Sequence, residues 1–147
     1  MDMNHVFTPN SMPNEGRVYF SLKGDFDPAQ VTALLGITPT SAWARGTKGP
    51  VRDLPRCSLW DFSSEKRVGE SVDIDALADA VVTELQPVAD KIREAVAKFE
   101  LSPVLQVVLK FSRDDTLPTP LIGFSKRTVQ FVASVGAFID IDTYRCD

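Results

Sequence analysis

The chain has little of the chemistry from which most catalytic and metal sites are built. Its 147 residues include a single histidine, His5, and two cysteines, Cys57 and Cys146. No segment matches a glycine-rich phosphate loop, a zinc-protease helix or a serine nucleophile elbow. The cysteines are not closely spaced, so the spacing typical of zinc ligands is missing, and Cys57 has no neighbouring histidine to form a thiolate. We therefore expect no catalytic residue, no metal and no cofactor, and the balance leans against an enzyme.

Long apolar runs and an excess of positive charge are also missing. No stretch approaches the ~18 consecutive apolar residues of a membrane-spanning helix, and the polar N-terminal residues do not resemble a secretion signal. The formal net charge is −4, whereas nucleic acids and anionic membranes favour basic surfaces. We expect a cytoplasmic protein with free thiols, with no nucleic-acid or membrane partner. Its oligomeric state is left open.

Strand-like alternation is clearest near the N-terminus. Residues 1–14 are polar and predict a disordered tail, and residues 15–147 predict one α+β domain. Over residues 16–24, Val18, Phe20 and Leu22 fall on one face, opposite Tyr19 and Lys23. Residues 104–111 are apolar on nearly both faces, which is typical of an interior strand. Further strands are predicted at residues 57–62, 121–124 and the C-terminal end.

Helical spacing and capping residues occupy the intervening segments. Asp27 and Pro28 predict the start of a short helix that ends at Gly36. Apolar residues spaced by three or four from 74 to 99 predict two helical segments, about 74–86 and 88–99, either kinked or hinged at Gln86-Pro87. Ser125 caps a last helix, whose inward residues are predicted to be Val129, Val132 and Ala133. The order β-α-β-α-α-β-β-α-β predicts a mainly antiparallel sheet of about five strands with helices packed on one face.

The terminal strand carries one candidate site. Since successive strand residues point to opposite faces, Asp140, Asp142 and Tyr144 share one face. Two carboxylates at this spacing suit hard-cation coordination or a glycosidase-like pair, although both uses need further groups. The alternative is a solvated sheet face kept charged against edge-to-edge aggregation, and this alternative is favoured.

The long segment 37–55 carries the other candidates. Trp43 and Arg45, with Lys48 beyond them, lie in a proline- and glycine-bearing loop, and loops of this length are often functional. An aromatic ring beside a guanidinium is a common recognition pair. Packing of Trp43 over the sheet edge, with Arg45 extended across it, explains the pattern equally well. Tyr19 and Lys23, on the face away from the helices, complete the candidate binding set.

Five ordered segments together resemble one bacterial family. They are Gly24-Asp25-Phe26-Asp27-Pro28, Leu34-Leu35-Gly36-Ile37-Thr38-Pro39-Thr40, Trp43-Ala44-Arg45-Gly46, Ser58-Leu59-Trp60 and Asp140-Ile141-Asp142-Thr143-Tyr144. Over residues 16–145 the chain resembles the domain of unknown function 4279 family. The resemblance implies a small α+β domain, often standing alone in cytosolic bacterial proteins, with no assigned activity. Domains of this kind are sometimes associated with toxin genes as immunity or accessory proteins.

Two hypotheses for function follow. The first is a small non-enzymatic interaction module, an immunity or accessory protein that binds a protein partner through the face away from the helices. Its net negative charge complements a basic partner. The second is a small-ligand or metal-dependent enzyme that uses Asp140 and Asp142. The enzyme requires a concave pocket at the carboxylates, whereas the module requires an exposed apolar and charged patch.

Overall fold

The computed structural model describes residues 12–46 and 57–145. His5, Lys48 and Cys146 lie outside the described residues. The strands are β1 (Asn14–Gly24), β2 (Ser41–Trp43), β3 (Ser58–Ser63), β4 (Arg67–Gly69), β5 (Ser102–Phe111) and β6 (Phe138–Arg145). The helices are α1 (Pro28–Leu35), α2 (Ile74–Leu85), α3 (Ala89–Phe99) and α4 (Lys126–Ser134), and a 3-10 turn (Gln86–Val88) joins α2 to α3.

The six strands form one sheet in the order β2-β3-β1-β5-β6, and β4 pairs with the start of β1. β1 is antiparallel to β3, β4 and β5, and β2 is antiparallel to β3. Only the β5–β6 pair is parallel among the described strands, and α4 lies in the connection that a parallel pair requires. The predicted α+β class and mainly antiparallel sheet are confirmed. β5 is an interior strand, as its two-sided apolar pattern predicted.

The core lies between one face of the sheet and the helices. Val18, Phe20 and Leu22 of β1 are fully buried there, and the Phe20 ring meets the Phe131 ring of α4 edge-on at 5.7 Å between centroids. The indole of Trp60 is also fully buried, and its Nε1–H donates to the Thr32 hydroxyl of α1 at 3.0 Å. α1, α2 and α4 therefore all pack on the same face of the sheet.

Local sequence signals explain the helix ends. The Asp27 carboxylate accepts from the Ala29 N–H, and Gly36 ends α1 with a φ of 69°, a conformation that glycine adopts without strain. Pro87 lies in the 3-10 turn between α2 and α3, since proline cannot continue the α-helical hydrogen bonds. The predicted pair of helical segments hinged at Pro87 is confirmed.

Two details of the predicted C-terminal half are wrong. Residues 121–124 form no strand, because Leu121 makes only an isolated bridge with Asp73 and its side chain is 67% exposed. α4 is rotated from the predicted orientation, since Val129 is 50% exposed and Thr128 is fully buried beside Phe131. Thr128 can be buried because its backbone N–H and hydroxyl both bond to the Ser125 hydroxyl, which satisfies its polar groups.

β1 begins earlier than its alternation indicated. Asn14, assigned to the tail, is buried at 2% exposure in the first position of β1. Its side-chain amide donates to the carbonyls of Glu70 and Pro118, and its side-chain oxygen accepts from the Ser112 N–H. These three hydrogen bonds from one asparagine connect the start of β1 to the backbone at Glu70, Ser112 and Pro118.

No helix within residues 12–46 and 57–145 is long and apolar enough to cross a membrane.

Candidate functional site

The sheet face opposite the helices, here called the open face, is covered by no helix among the described residues. Strand register and alternation place one row of side chains on this face from each of β1, β2, β3, β5 and β6. They are Ser41 and Trp43 of β2, Leu59, Asp61 and Ser63 of β3, Glu15, Arg17, Tyr19, Ser21 and Lys23 of β1, Ser102, Val104, Gln106, Val108 and Lys110 of β5, and Phe138, Asp140, Asp142 and Tyr144 of β6.

Tyr19 lies at the centre of the open face. The Arg17 guanidinium carbon is 5.0 Å from the centroid of its ring, a cation–π distance. Burial raises the pKa of the Tyr19 phenol above its usual 10.0, and the nearby Asp61 charge raises it further, while Arg17 opposes the shift. Asp142 and Tyr144 act in the same direction as Asp61. The phenol therefore stays protonated at neutral pH and can donate a hydrogen bond.

Gln106 connects β5 to the acidic row of β6. It is opposite Tyr19 on one side and Asp140 on the other, and it is only 5% exposed. Its side-chain amide donates to the Asp142 carboxylate at 3.2 Å and to the Asp140 carbonyl oxygen at 3.3 Å. These bonds fix one oxygen of Asp142 and leave Asp140 exposed to solvent.

Ser21 of β1 is buried and Asp61 of β3 is half-buried beside it. The two residues are opposite one another in register, and Ser21 is 1% exposed. Burial raises the pKa of the Asp61 carboxyl above its usual 3.8, although the Ser21 hydroxyl, Lys23 and Arg17 oppose the shift. Among residues 12–46 and 57–145, neither Ser21 Oγ nor Asp61 Oδ1 has a partner in good hydrogen-bonding geometry. Such incompletely satisfied groups are uncommon in native structures.

A shallow depression of about 450 Å³ lies at the Glu15 end of the open face, between Arg17, Ser63 and Lys110. The Glu15 carboxylate lies 3.8 Å from the Lys110 ammonium and 3.9 Å from that of Lys66. A second depression of about 570 Å³ adjoins Tyr144 at the ends of β5 and β6. Neither is centred on the Asp140–Asp142 row.

Trp43 and Arg45 lie at the opposite edge from the acidic row. Trp43 is half-buried on β2, opposite Leu59, and four strand spacings of about 4.8 Å separate β2 from β6 by roughly 19 Å across the sheet. The Arg45 guanidinium donates to the Asp25 carboxylate at 3.0 Å, and its backbone N–H donates to the Ser58 hydroxyl. Asp25 is thus engaged at this edge, and β5 separates β1 from β6.

The structure brings only part of the predicted set together. Tyr19, Asp142 and Tyr144 interact electrostatically, and Lys23 lies close enough to Asp61 to affect its pKa. Trp43 and Asp140 share the face but lie at its two edges, while Arg45 is beside Asp25. The sequence analysis missed Arg17, Ser21, Asp61 and Gln106 as site residues. Their signal was present as polar residues on the exposed side of an alternating strand and, for Gln106, as an amide inside an apolar run.

Among residues 12–46 and 57–145, no three His, Cys, Asp or Glu side chains are grouped as metal ligands would be. Asp140 and Asp142 are thus a pair without a third ligand in this part of the chain. The arrangement can offer a partner hydrogen bonds, aromatic surface and charges of both signs.

Comparison with known proteins identifies the family. The family model described as Domain of unknown function (DUF4279) matches residues 14–145, so the chain belongs to this family. Neither the curated proteins nor the solved structures include a match to the chain. The limits of the family match coincide with the start of β1 and the end of β6.

Proposed function

We propose that the protein is a non-enzymatic binding module whose open face holds a basic protein partner. One observation supports this proposal most directly. The open face bears exposed aromatic and charged side chains, and no helix among the described residues covers it. Phe138 and Tyr144 are 60% and 53% exposed on this face, and Trp43 is half-buried on its far edge. Aromatic residues beside charged ones are the commonest anchors of protein interfaces.

The charge of the face favours a basic partner. Away from the Glu15 end of the face, where Glu15 lies beside Lys66 and Lys110, Asp61, Asp140 and Asp142 outnumber Arg17 and Lys23. The whole chain has a net charge of −4, so a positively charged protein would be steered towards it at low ionic strength. The protonated Tyr19 phenol adds a hydrogen-bond donor near the centre of the face.

The proposal is tested by capture from an extract of the native host with matched variants. Trp43→Ala combined with Tyr144→Ala removes aromatic surface from both edges of the open face. The control, Ile122→Ala combined with Val129→Ala, removes exposed apolar surface, 46% and 50% exposed, from outside that face. A captured protein is purified and its affinity measured directly against the wild type and both variants.

We expect the open-face variant to bind at least about tenfold more weakly, because truncating one aromatic anchor commonly costs 2 kcal/mol or more. The control variant should bind like the wild type, and added salt should weaken the complex. A partner whose binding is reduced by the control and not by the open-face variant would place the interface on the helical side and refute the proposal.

A further inference from the structure

β6 presents a long unpaired edge. It is the outermost strand on its side of the sheet, and no strand within residues 12–46 and 57–145 pairs with its outer edge. It spans Phe138–Arg145, whereas the opposite edge strand, β2, has only three residues. The unpaired N–H and C=O groups of such an edge are a template for another strand.

The two faces of β6 require different chemistry from an added strand. On the open face, Asp140 and Asp142 lie at alternate positions, which puts both next to residues i and i+2 of a neighbouring strand. On the helix side, Ile141 is 40% exposed. A strand with basic residues on one face and apolar residues on the other would therefore complement β6 on both sides.

A second copy of the chain does not meet this requirement. In antiparallel pairing of two β6 strands centred on Ile141, Asp140 of each copy would lie opposite Asp142 of the other. Centring the pairing on Asp142 would place that residue opposite itself. Like charges directly opposite one another destabilise a sheet, so the acidic row opposes self-association in these two registers.

We propose that β6 accepts an extended segment of the partner as an additional strand, in which lysine or arginine alternates with apolar residues. This inference rests on the proposed function and names how a basic partner docks. Backbone hydrogen bonds hold the added segment to the edge, and the alternating side chains select it. The basic residues lie beside Asp140 and Asp142, while the apolar residues cover Ile141.

The test uses a synthetic eight-residue peptide of alternating lysine and valine with blocked ends, titrated at low salt into the isotope-labelled full chain. Amide hydrogen exchange and amide chemical shifts are followed for β6 and β2. We expect exchange to slow along β6 and not along β2. A second peptide of the same sequence carries N-methyl groups on alternate backbone nitrogens, which keeps the charge and prevents strand pairing.

Two matched variants separate the acidic row from general charge. Asp140→Asn with Asp142→Asn should weaken peptide binding roughly tenfold, since two cross-strand charge pairs are lost. Glu84→Gln with Glu94→Gln removes the same charge from exposed positions on α2 and α3 and should leave binding unchanged. Thermal unfolding of each variant is measured alongside to show that β6 remains folded.

The inference is overturned if the N-methylated peptide binds as well as the parent, if protection appears at β2 instead of β6, or if the free chain dimerises through β6 at neutral pH. It is equally overturned if the peptide leaves β6 unchanged. Any of these results can coexist with a native partner whose capture depends on Trp43 and Tyr144. The proposed function and this docking mode can therefore fail separately.

Discussion

The hydrogen bond between Trp60 and Thr32 allows the stability effect of one buried contact to be worked out from the structure. The Trp60 side chain is fully buried, and its only N–H donates to Thr32 Oγ1 at 3.0 Å. Thr32→Val keeps the shape of the side chain and removes the acceptor, so it leaves a buried donor unpaired at a cost of about 1–3 kcal/mol. Because Thr32 itself is half-buried, we expect the lower half of that range.

Trp60→Phe removes the donor together with part of the core volume, so it should cost about 2 kcal/mol or more. The double variant should cost less than the sum of the two, because one hydrogen bond is counted in both. Urea denaturation with linear extrapolation measures each value, and a loss of 1 kcal/mol should lower the Tm by about 2–4 °C in a chain of this size.

Trp43→Phe is the matched control. Because Trp43 lies on the open face, this substitution should lower the free energy of unfolding by less than about 0.5 kcal/mol. If Thr32→Val is neutral, the indole N–H is not held by that hydroxyl and the docking of α1 on β3 needs another explanation. If Trp43→Phe costs as much as Trp60→Phe, Trp43 is a core residue and its role in binding is refuted.

Three further perturbations test the helix hinge, the buried carboxyl and the edge strand. Pro87→Ala should be neutral or mildly stabilising in denaturant unfolding, because the 3-10 turn tolerates other residues, and a loss above about 2 kcal/mol would show that the break itself is required. Burial raises the pKa of Asp61 above 3.8. Ionisation of Asp61 therefore lowers the free energy of unfolding as the pH rises from 3.8 through the raised pKa, and it has no effect on stability below 3.8, where the carboxyl is protonated in both states. Asp61→Asn should therefore raise the Tm at pH 7, with a gain that fades as the pH falls towards 3.8; a lower Tm at pH 7 would contradict this. Ile139→Ala should cost about 2 kcal/mol because Ile139 packs against the core, whereas Ile141→Ala should cost less than about 1 kcal/mol at 40% exposure. Equal losses in urea unfolding would mean that Ile141, on the same face of β6, is packed as fully as Ile139.

The elements that sequence predicted correctly are those whose signal is contained within one segment. The alternation of Val18, Phe20 and Leu22 determines which face of β1 is buried, whatever strands lie beside it. The caps at Asp27 and Ser125 form within their own first helical turn, so they too are readable locally.

The elements that sequence missed depend on distant segments. β2 and β4 have three residues each, too few for any periodicity. The position of Asn14 is fixed by Pro118, which is 104 residues away. Val129 was predicted to face inward from its apolar character, yet Thr128 occupies that position because the cap satisfies its hydroxyl.

The candidate site was predictable as a face and not as a centre. Placing Asp140, Asp142 and Tyr144 together needs only the alternation of one strand. Pairing Tyr19 with Gln106, or Ser21 with Asp61, requires the register between strands far apart in sequence. These two pairs of neighbouring polar residues could therefore be recognised only after the strands were aligned.

The most direct test of the open face as the binding surface is side-chain footprinting of the protein alone and with its captured partner. Hydroxyl radicals label exposed Trp43, Phe138 and Tyr144 on the open face, and Ile122 and Val129 outside it. The account predicts that the partner protects the three open-face residues and leaves the labelling of Ile122 and Val129 unchanged. Protection confined to Ile122 and Val129, with full labelling of the open face, would contradict it.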